Sequence, residues 1–334
     1  MKCLITGSLG LTGQACVDLF LEKGWEVVGV DRNMRSRFFG TEMQYPKAGQ
    51  ETIHFDIDIR DLVTMEELFE QHTFNAIVHA AAQPSHDYAT EHVLEDFDVN
   101  ARATVILFEL ARKYCPDAVI VHVSTDKVYG EKMVADPLEE KETRYDPVGA
   151  TLSSRGFDEE LGLDFAGDRS FFGCSKAAAD MYAQQYAARG MKIGLFRPGC
   201  ITGRVHQGAE QHGFLAYLAK CIKEGKTYKI FGHKGKQVRD QIHASDLASA
   251  FWHYINTPMP GVVYNIGGGP ARSVSILEAG AMIAKKTGKE FKYEIHEARK
   301  GDRVWDVHDT SKFRKDYPFW KQKYNLQAII DDLL

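Results

Sequence analysis

Thr6-Gly7-Ser8-Leu9-Gly10-Leu11-Thr12-Gly13 stands directly behind the short apolar run Cys3–Thr6 and in front of a stretch with helical periodicity. Between a strand and a helix, glycines at this G-x-x-G-x-x-G spacing permit a tight turn and a close backbone approach to a pyrophosphate at the helix N-terminus. Gly7, Leu9, Gly10, Leu11 and Gly13 are therefore candidate cofactor contacts. The next β-branched run, Glu26–Val30, ends in Asp31, close to the roughly 20-residue offset at which an acid meets the adenosine ribose. Such a carboxylate accepts from both ribose hydroxyls and repels a 2′-phosphate, so NAD is expected rather than NADP. Arg32 is the residue that could hold that phosphate instead. Asp58 and Ile59, just beyond a third run at Ile53–Phe55, are placed to touch the adenine, unless Asp58 only caps the helix that follows.

Outward from this turn the same alternation continues. Further strands are predicted at Ala76–His79, Val119–Ser124 and Lys192–Phe196. Helices are predicted at Thr12–Lys23, Met65–Gln71, Val93–Tyr114 and Cys174–Ala188, each with apolar residues at three- and four-residue intervals. Strands alternating with helices imply an α/β fold, a Rossmann-type doubly wound parallel sheet. Residues Glu131 to Arg169 break the rhythm; rich in Asp, Glu, Gly and Pro, they read as an insertion over a site. After Arg197-Pro198 the pattern weakens, resuming at Val262–Ile266 and in a helix at Ser275–Lys286. The expected organisation is a dinucleotide-binding domain of residues 1–197 plus 239–266 and a smaller C-terminal α/β substrate lobe of 198–238 plus 267–334.

A formal charge of −5 leaves no basic footprint, which disfavours nucleic acid or an anionic membrane as partner. An anionic ligand must then be held by a few placed cations. The six cysteines are scattered without zinc spacing, and His206, His212, His233 and His243 are dispersed, so no metal is expected. Gly267-Gly268-Gly269 reads as a turn after a buried strand, Asp246 as a structural cap, and Phe214-Leu215 with Tyr217-Leu218 as core. With no secretory h-region and no apolar stretch long enough to span a bilayer, a cytoplasmic location is expected by elimination.

Seven further motifs follow in order: His79-Ala80-Ala81-Ala82, Asp98-Val99-Asn100, Ser124-Thr125-Asp126-Lys127-Val128-Tyr129-Gly130, Phe172-Gly173-Cys174-Ser175-Lys176, Arg197-Pro198-Gly199, Val238-Arg239-Asp240-Gln241-Ile242-His243, and Arg299 before Lys300-Gly301-Asp302. Together with the glycine turn they resemble the NAD-dependent epimerase/dehydratase family of extended short-chain dehydrogenases/reductases along nearly the whole chain. The resemblance implies that Ala80, Ala81, Ala82, Asn100, Lys176 and Arg197 join the cofactor site. It also implies that Gln83, Ser85, His86, Thr125, Arg239 and Arg299 meet a nucleotide-diphosphate sugar, the two arginines gripping its diphosphate.

In that family a Tyr-x-x-x-Lys pair works with a Ser or Thr: the tyrosine exchanges a hydroxyl proton and the lysine lowers its pKa. Thr125 and Lys176 match, but the tyrosine position is Phe172, whose ring exchanges no proton. Three readings stay open. Another group accepts the proton, with Asp126, Lys176 and His86 as candidates and His86 foremost because imidazole titrates nearest neutral pH; or catalysis is lost and only binding remains; or a tyrosine from elsewhere, Tyr88 or Tyr145, reaches the site. Lys127 stands where the related 4,6-dehydratases carry a glutamate, which argues against dehydration. The runs Ser124–Tyr129, Gly156-Phe157-Asp158-Glu159, Gly173–Asp180, Ala82–Asp87 and Glu210–Leu215 are most similar to the CDP-tyvelose and CDP-paratose 2-epimerase branch. That branch implies reversible oxidation at C2 without net redox change, with a 4-epimerase or dehydrogenase of the same fold as the alternative. The resemblance further implies a homodimer or homotetramer built on the helices at Val93–Tyr114 and Cys174–Ala188.

Overall fold

A computed structural model describes residues 1–34, 52–130, 137–149, 154–163, 169–206, 208, 213–298 and 302–334. They group into two compact units: Met1–Val128, Phe171–Arg197 and Leu247–Tyr264 form the first, and Tyr129–Ser170, Pro198–Asp246 and Asn265–Leu334 the second. This differs from the expected division, which assigns 129–170, 239–246 and 265–266 to the dinucleotide domain. The reason is backbone pairing. Phe157 N–H donates to Val307 and its carbonyl accepts from Asp309, while the strand Val238–His243 pairs only with strands of the second unit.

The strands of the first unit are β1 Lys2–Thr6, β2 Glu26–Asp31, β3 Thr52–Asp56, β4 Ala76–His79 and β5 Val119–Val123. With β8 Lys192–Pro198 and β12 Val263–Ile266 they form a seven-stranded sheet of order β12-β8-β5-β4-β1-β2-β3. Every pair from β8 to β3 is parallel, which confirms the Rossmann-type reading. The strand order reverses between β1 and β4, and in such sheets ligands bind outside the carboxyl ends at that switch point. Thr6, His79 and Val123 end these strands, so the glycine turn, the Ala80–Ser85 loop and the Ser124–Lys127 run all leave the sheet at its binding edge.

The strands are almost continuously apolar because helices cover both faces of a parallel sheet. Leu4, Val28, Ile77, Ile120 and Ile193 pack in one core with Leu68, Leu107, Phe108 and Ala183 from the helices. Those helices are α1 Leu11–Glu22, α2 Leu62–Gln71, α3 His86–Glu91, α4 Val93–Phe97, α5 Ala103–Tyr114 and α6 Phe171–Ala188. The single helix predicted over 93–114 carries one π-turn, Asp98–Arg102, between α4 and α5. Helix α6 begins ahead of the predicted Cys174, since burial of Phe172 outweighs the poor helix propensity of Gly173.

In the second unit, Leu138–Glu140 (β6) and Tyr145–Pro147 (β7) form an antiparallel pair within the segment predicted as an insertion. That segment is less peripheral than its composition suggests, because Phe157 is buried. Strand β11 Val238–His243 runs beside β9 Cys200–Thr202, β13 Ser273–Ser275 and β15 Trp305–Asp306, and β10 Tyr228–Phe231 pairs with β14 Tyr293–His296. Leu215 and Leu218 join Ile222, Ile276 and Ile330 in a separate core, as expected of packing residues. The Gly267–Gly269 run is a turn whose Gly269 N–H donates to Asp240 at 2.8 Å. A side chain at Gly267 would come within 2.3 Å of the same carboxylate, so a phosphate has no room there. Asp246 accepts from the backbone N–H groups of Lys323 and Tyr324, a structural role as expected.

Candidate active site

Gly7 adopts a φ of +70°, and a Cβ there would lie 2.7 Å from the Ala81 nitrogen. A Cβ on Gly13 would approach the Gly7 carbonyl oxygen to 2.0 Å. Only glycine closes this turn. Gly10 N-caps α1 without any side-chain hydrogen bond, so the first N–H groups of the helix carry the unpaired donors and positive dipole end that suit a pyrophosphate. Leu9 and Leu11 lie within this turn, and Ala80 and Ala81 line its far side, with Ala82 exposed beyond them.

Asp31 reaches back to this turn, accepting from Leu9 N–H at 3.0 Å and from Asn33 N–H at 2.8 Å. Each carboxylate oxygen has a second lone-pair site, which suits the two ribose hydroxyls. Arg32, the residue that could favour a 2′-phosphate, donates to Asp58 at 2.8 Å and Glu95 at 3.0 Å. Asp58 also takes the Arg60 guanidinium; burial opposes its charge, but Arg60 and Arg32 overcome this and draw the carboxyl down to about 2. The helix after it is capped by Asp61, not Asp58, and Ile59 is buried. Glycine cradle and strand-end acid fit NAD.

The Thr125 hydroxyl donates to Asp126 at 3.1 Å and accepts from Lys127 N–H. The Lys127 ammonium lies 2.9 Å from Asp126, so the carboxylate proposed as a proton acceptor is already held by a cation. Lys176 of α6, fully buried, donates to the Val123 carbonyl at 2.7 Å. Burial pulls its ammonium down to about 8, against Asp180 and Asp96, which hold it up. Arg197, expected at the cofactor, instead makes a two-pronged buried ion pair with Asp180 at 2.8 and 2.9 Å. Ser124 donates to the same carboxylate at 2.7 Å.

Phe172 precedes Lys176 by one helical turn, so both lie on one face of α6. Against the Phe172 ring packs His86, centroid to centroid 4.8 Å. The structure thus brings an imidazole to the ring that replaces tyrosine. Neither alternative tyrosine is poised to accept a proton. Tyr88 donates to Glu95 at 2.6 Å, which raises its pKa. Tyr145, in the second unit, is raised by burial and by its bond to Glu140 at 3.0 Å.

The loop that delivers His86 is anchored. Asn100, in the π-turn, accepts from Gln83 N–H and donates to its carbonyl, to Asp96 and to Ser175. The Gln83 amide also donates to Asp96 at 2.8 Å, and Ser85 N-caps α3. Gln83, Ser85 and Asn100, expected to touch ligand, are therefore first of all parts of this scaffold. Asp96 and Asp180 escape the sequence reading, although each has a signal. Asp96 lies four residues before Asn100, and Asp180 four after Lys176, a spacing that aligns side chains on a helix.

In the second unit, Arg239 on β11 donates to Asp302 and to the Arg303 carbonyl, both at 2.5 Å. Arg299 lies outside the described residues.

Fold and site define a dinucleotide-dependent enzyme with a lysine and threonine at the cofactor edge of a Rossmann-type sheet. The chain belongs to the NAD dependent epimerase/dehydratase family, whose profile matches residues 3–267. It is 30% identical over 321 residues to the CDP-paratose 2-epimerase of Salmonella typhi, covering 93% of this chain and 92% of that one. A bifunctional UDP-glucose and UDP-xylose 4-epimerase of Arabidopsis thaliana is 25% identical, with 98% and 93% covered. The Thermus thermophilus UDP-glucose 4-epimerase, solved with NAD, shares the fold at a TM-score of 0.81, 23% identity and coverage of 100% and 99%. The enzyme is NAD-dependent, and no helix among the described residues is long and apolar enough to cross a membrane.

Proposed function

We propose that this enzyme epimerises a nucleotide-diphosphate sugar at C2 through a transient sugar ketone, with His86 exchanging the proton that tyrosine handles elsewhere in the family. The likeness to a CDP-paratose 2-epimerase over 93% of the chain carries the choice of C2. Packing of His86 on Phe172 supports the proton role. Bound NAD supplies the reversible hydride exchange at the sugar carbon. His86 takes the C2 hydroxyl proton and returns it after the ketone has turned. Thr125 offers its hydroxyl to the reacting oxygen, and the Lys176 ammonium stabilises negative charge beside it. A cation at Lys127, paired with Asp126, provides no base for elimination. Arg239 and Arg299 are assigned to the diphosphate, Arg239 exchanging Asp302 for phosphate oxygens. The 4-epimerase likeness spans 98% of the chain and is the second reading. Incubation with CDP-, UDP-, GDP- and dTDP-sugars, followed by NMR, separates the two by the carbon inverted.

We also infer a homodimer. Leu94 and Phe97 on α4 and Met181 and Tyr182 on α6 are exposed, Leu94 at 82% and Tyr182 at 53%, and clustered exposed apolar side chains mark association surfaces. Light scattering is expected to return a multiple of the 37.6 kDa chain mass, with Tyr182→Glu shifting the species to monomer; a monomeric parent protein rejects this.

A further inference from the structure

We propose that Asp96 is a positioning residue for the proton-transfer step, its one carboxylate fixing the loop that carries His86 while supplying negative charge to Lys176. The inference rests on the His86 reading above and assigns a task to a buried carboxylate that the chemistry leaves unused. Asp96 is 1% exposed. Its Oδ1 accepts from the side-chain amides of Gln83 at 2.8 Å and Asn100 at 2.9 Å. Gln83 in turn bonds Ser85 twice, its amide donating to the Ser85 carbonyl at 2.9 Å and its oxygen accepting Ser85 N–H at 2.6 Å. Ser85 caps the helix whose first residue is His86. Two successive hydrogen-bonded steps, Asp96 to Gln83 and Gln83 to Ser85, thus lead from one carboxylate to the residue that precedes His86 in the chain.

The second arm is electrostatic. Asp180 on the same helix and Asp96 on α4 hold the Lys176 ammonium up against burial. From the sheet, His79 on β4 and His122 on β5 also face it, and burial holds both neutral rings well below the usual histidine range. Asp180 already carries the Arg197 guanidinium. Asp96 accepts from the neutral amides of Gln83 and Asn100 and from the Ser175 hydroxyl, not from a guanidinium, so its charge is the less compensated of the two carboxylates facing Lys176. A carboxylate nearby favours the charged form of a lysine by on the order of one to three pH units.

The two arms separate by mutation. In Asp96→Asn, the alkaline limb of the kcat profile is expected to move down by about one pH unit, and Asp96→Glu is expected to restore it. Gln83→Ala keeps the charge and loosens the loop, so kcat falls on the order of 10- to 100-fold with the limb unmoved. Lysine ε-carbon NMR titration of the NAD-bound protein, with Lys176→Met assigning the signal, reads the same shift without any sugar. Failure of the C2 reading therefore leaves this test intact. An unshifted Lys176 titration in Asp96→Asn overturns the electrostatic arm. Unchanged kcat in Gln83→Ala overturns the positional arm, and does so even where Asp96→Asn does not fold.

Discussion

Replacing His86 with alanine is expected to lower kcat by about two to four orders of magnitude, the usual worth of a positioned general acid–base group, while NAD affinity stays within about twofold of the parent. The separation of effects follows from placement. His86 opens α3 just after the loop from β4 and packs against Phe172, whereas the dinucleotide is assigned to the glycine turn and Asp31. Restoring the family pattern by Phe172→Tyr in the alanine background is expected to recover part of the rate, because the phenol then stands one turn before Lys176. Steady-state kinetics with NAD titrations check both. Full activity in His86→Ala removes the imidazole from the chemistry.

Asp180→Ala is expected to cost about 3–5 kcal/mol of stability, the range for breaking a buried ion pair on one side only. Asp180 is 0% exposed and Arg197 4%. Removing the carboxylate takes two charge-assisted bonds from a guanidinium in the core and strips Ser124 and Gln184 of an acceptor. Asp180→Asn is expected to lose less, since the amide retains one acceptor oxygen. Equilibrium denaturation of the NAD-free protein gives both numbers; losses under about 1 kcal/mol would show the pair to be worth no more than a surface ion pair.

Much of the first unit was legible in the sequence because its signals are local. A glycine turn between a strand and a helix, an acid closing the second strand and β-branched runs alternating with amphipathic helices each announce themselves within a short window. What stayed hidden depends on contacts between distant segments. Arg197 matched a family motif, yet its partner Asp180 lies on a preceding helix and takes up the guanidinium. Asp58 had a cap-like position, but Asp61 does the capping, and two arginines hold Asp58. The π-turn at Asp98–Arg102 leaves no periodicity signal, because one widened turn hardly disturbs the apolar spacing of the helix. Glu131 to Arg169 reads from composition as an insertion over a site, and contacts with distant segments, such as the pairing of Phe157 with His308 and of Tyr145 with Lys236, are what tie it to the second unit.

The isotopic fate of the inverted carbon is the most direct test of this chemistry. When a CDP-linked 2-hydroxy sugar is incubated with the NAD-loaded protein in deuterium oxide, inversion at C2 with the original hydrogen retained there is expected, since hydride leaves and returns to the same carbon. Solvent deuterium at the inverted carbon, inversion at C4 instead, or no change in any sugar while NAD still binds would each contradict the assignment.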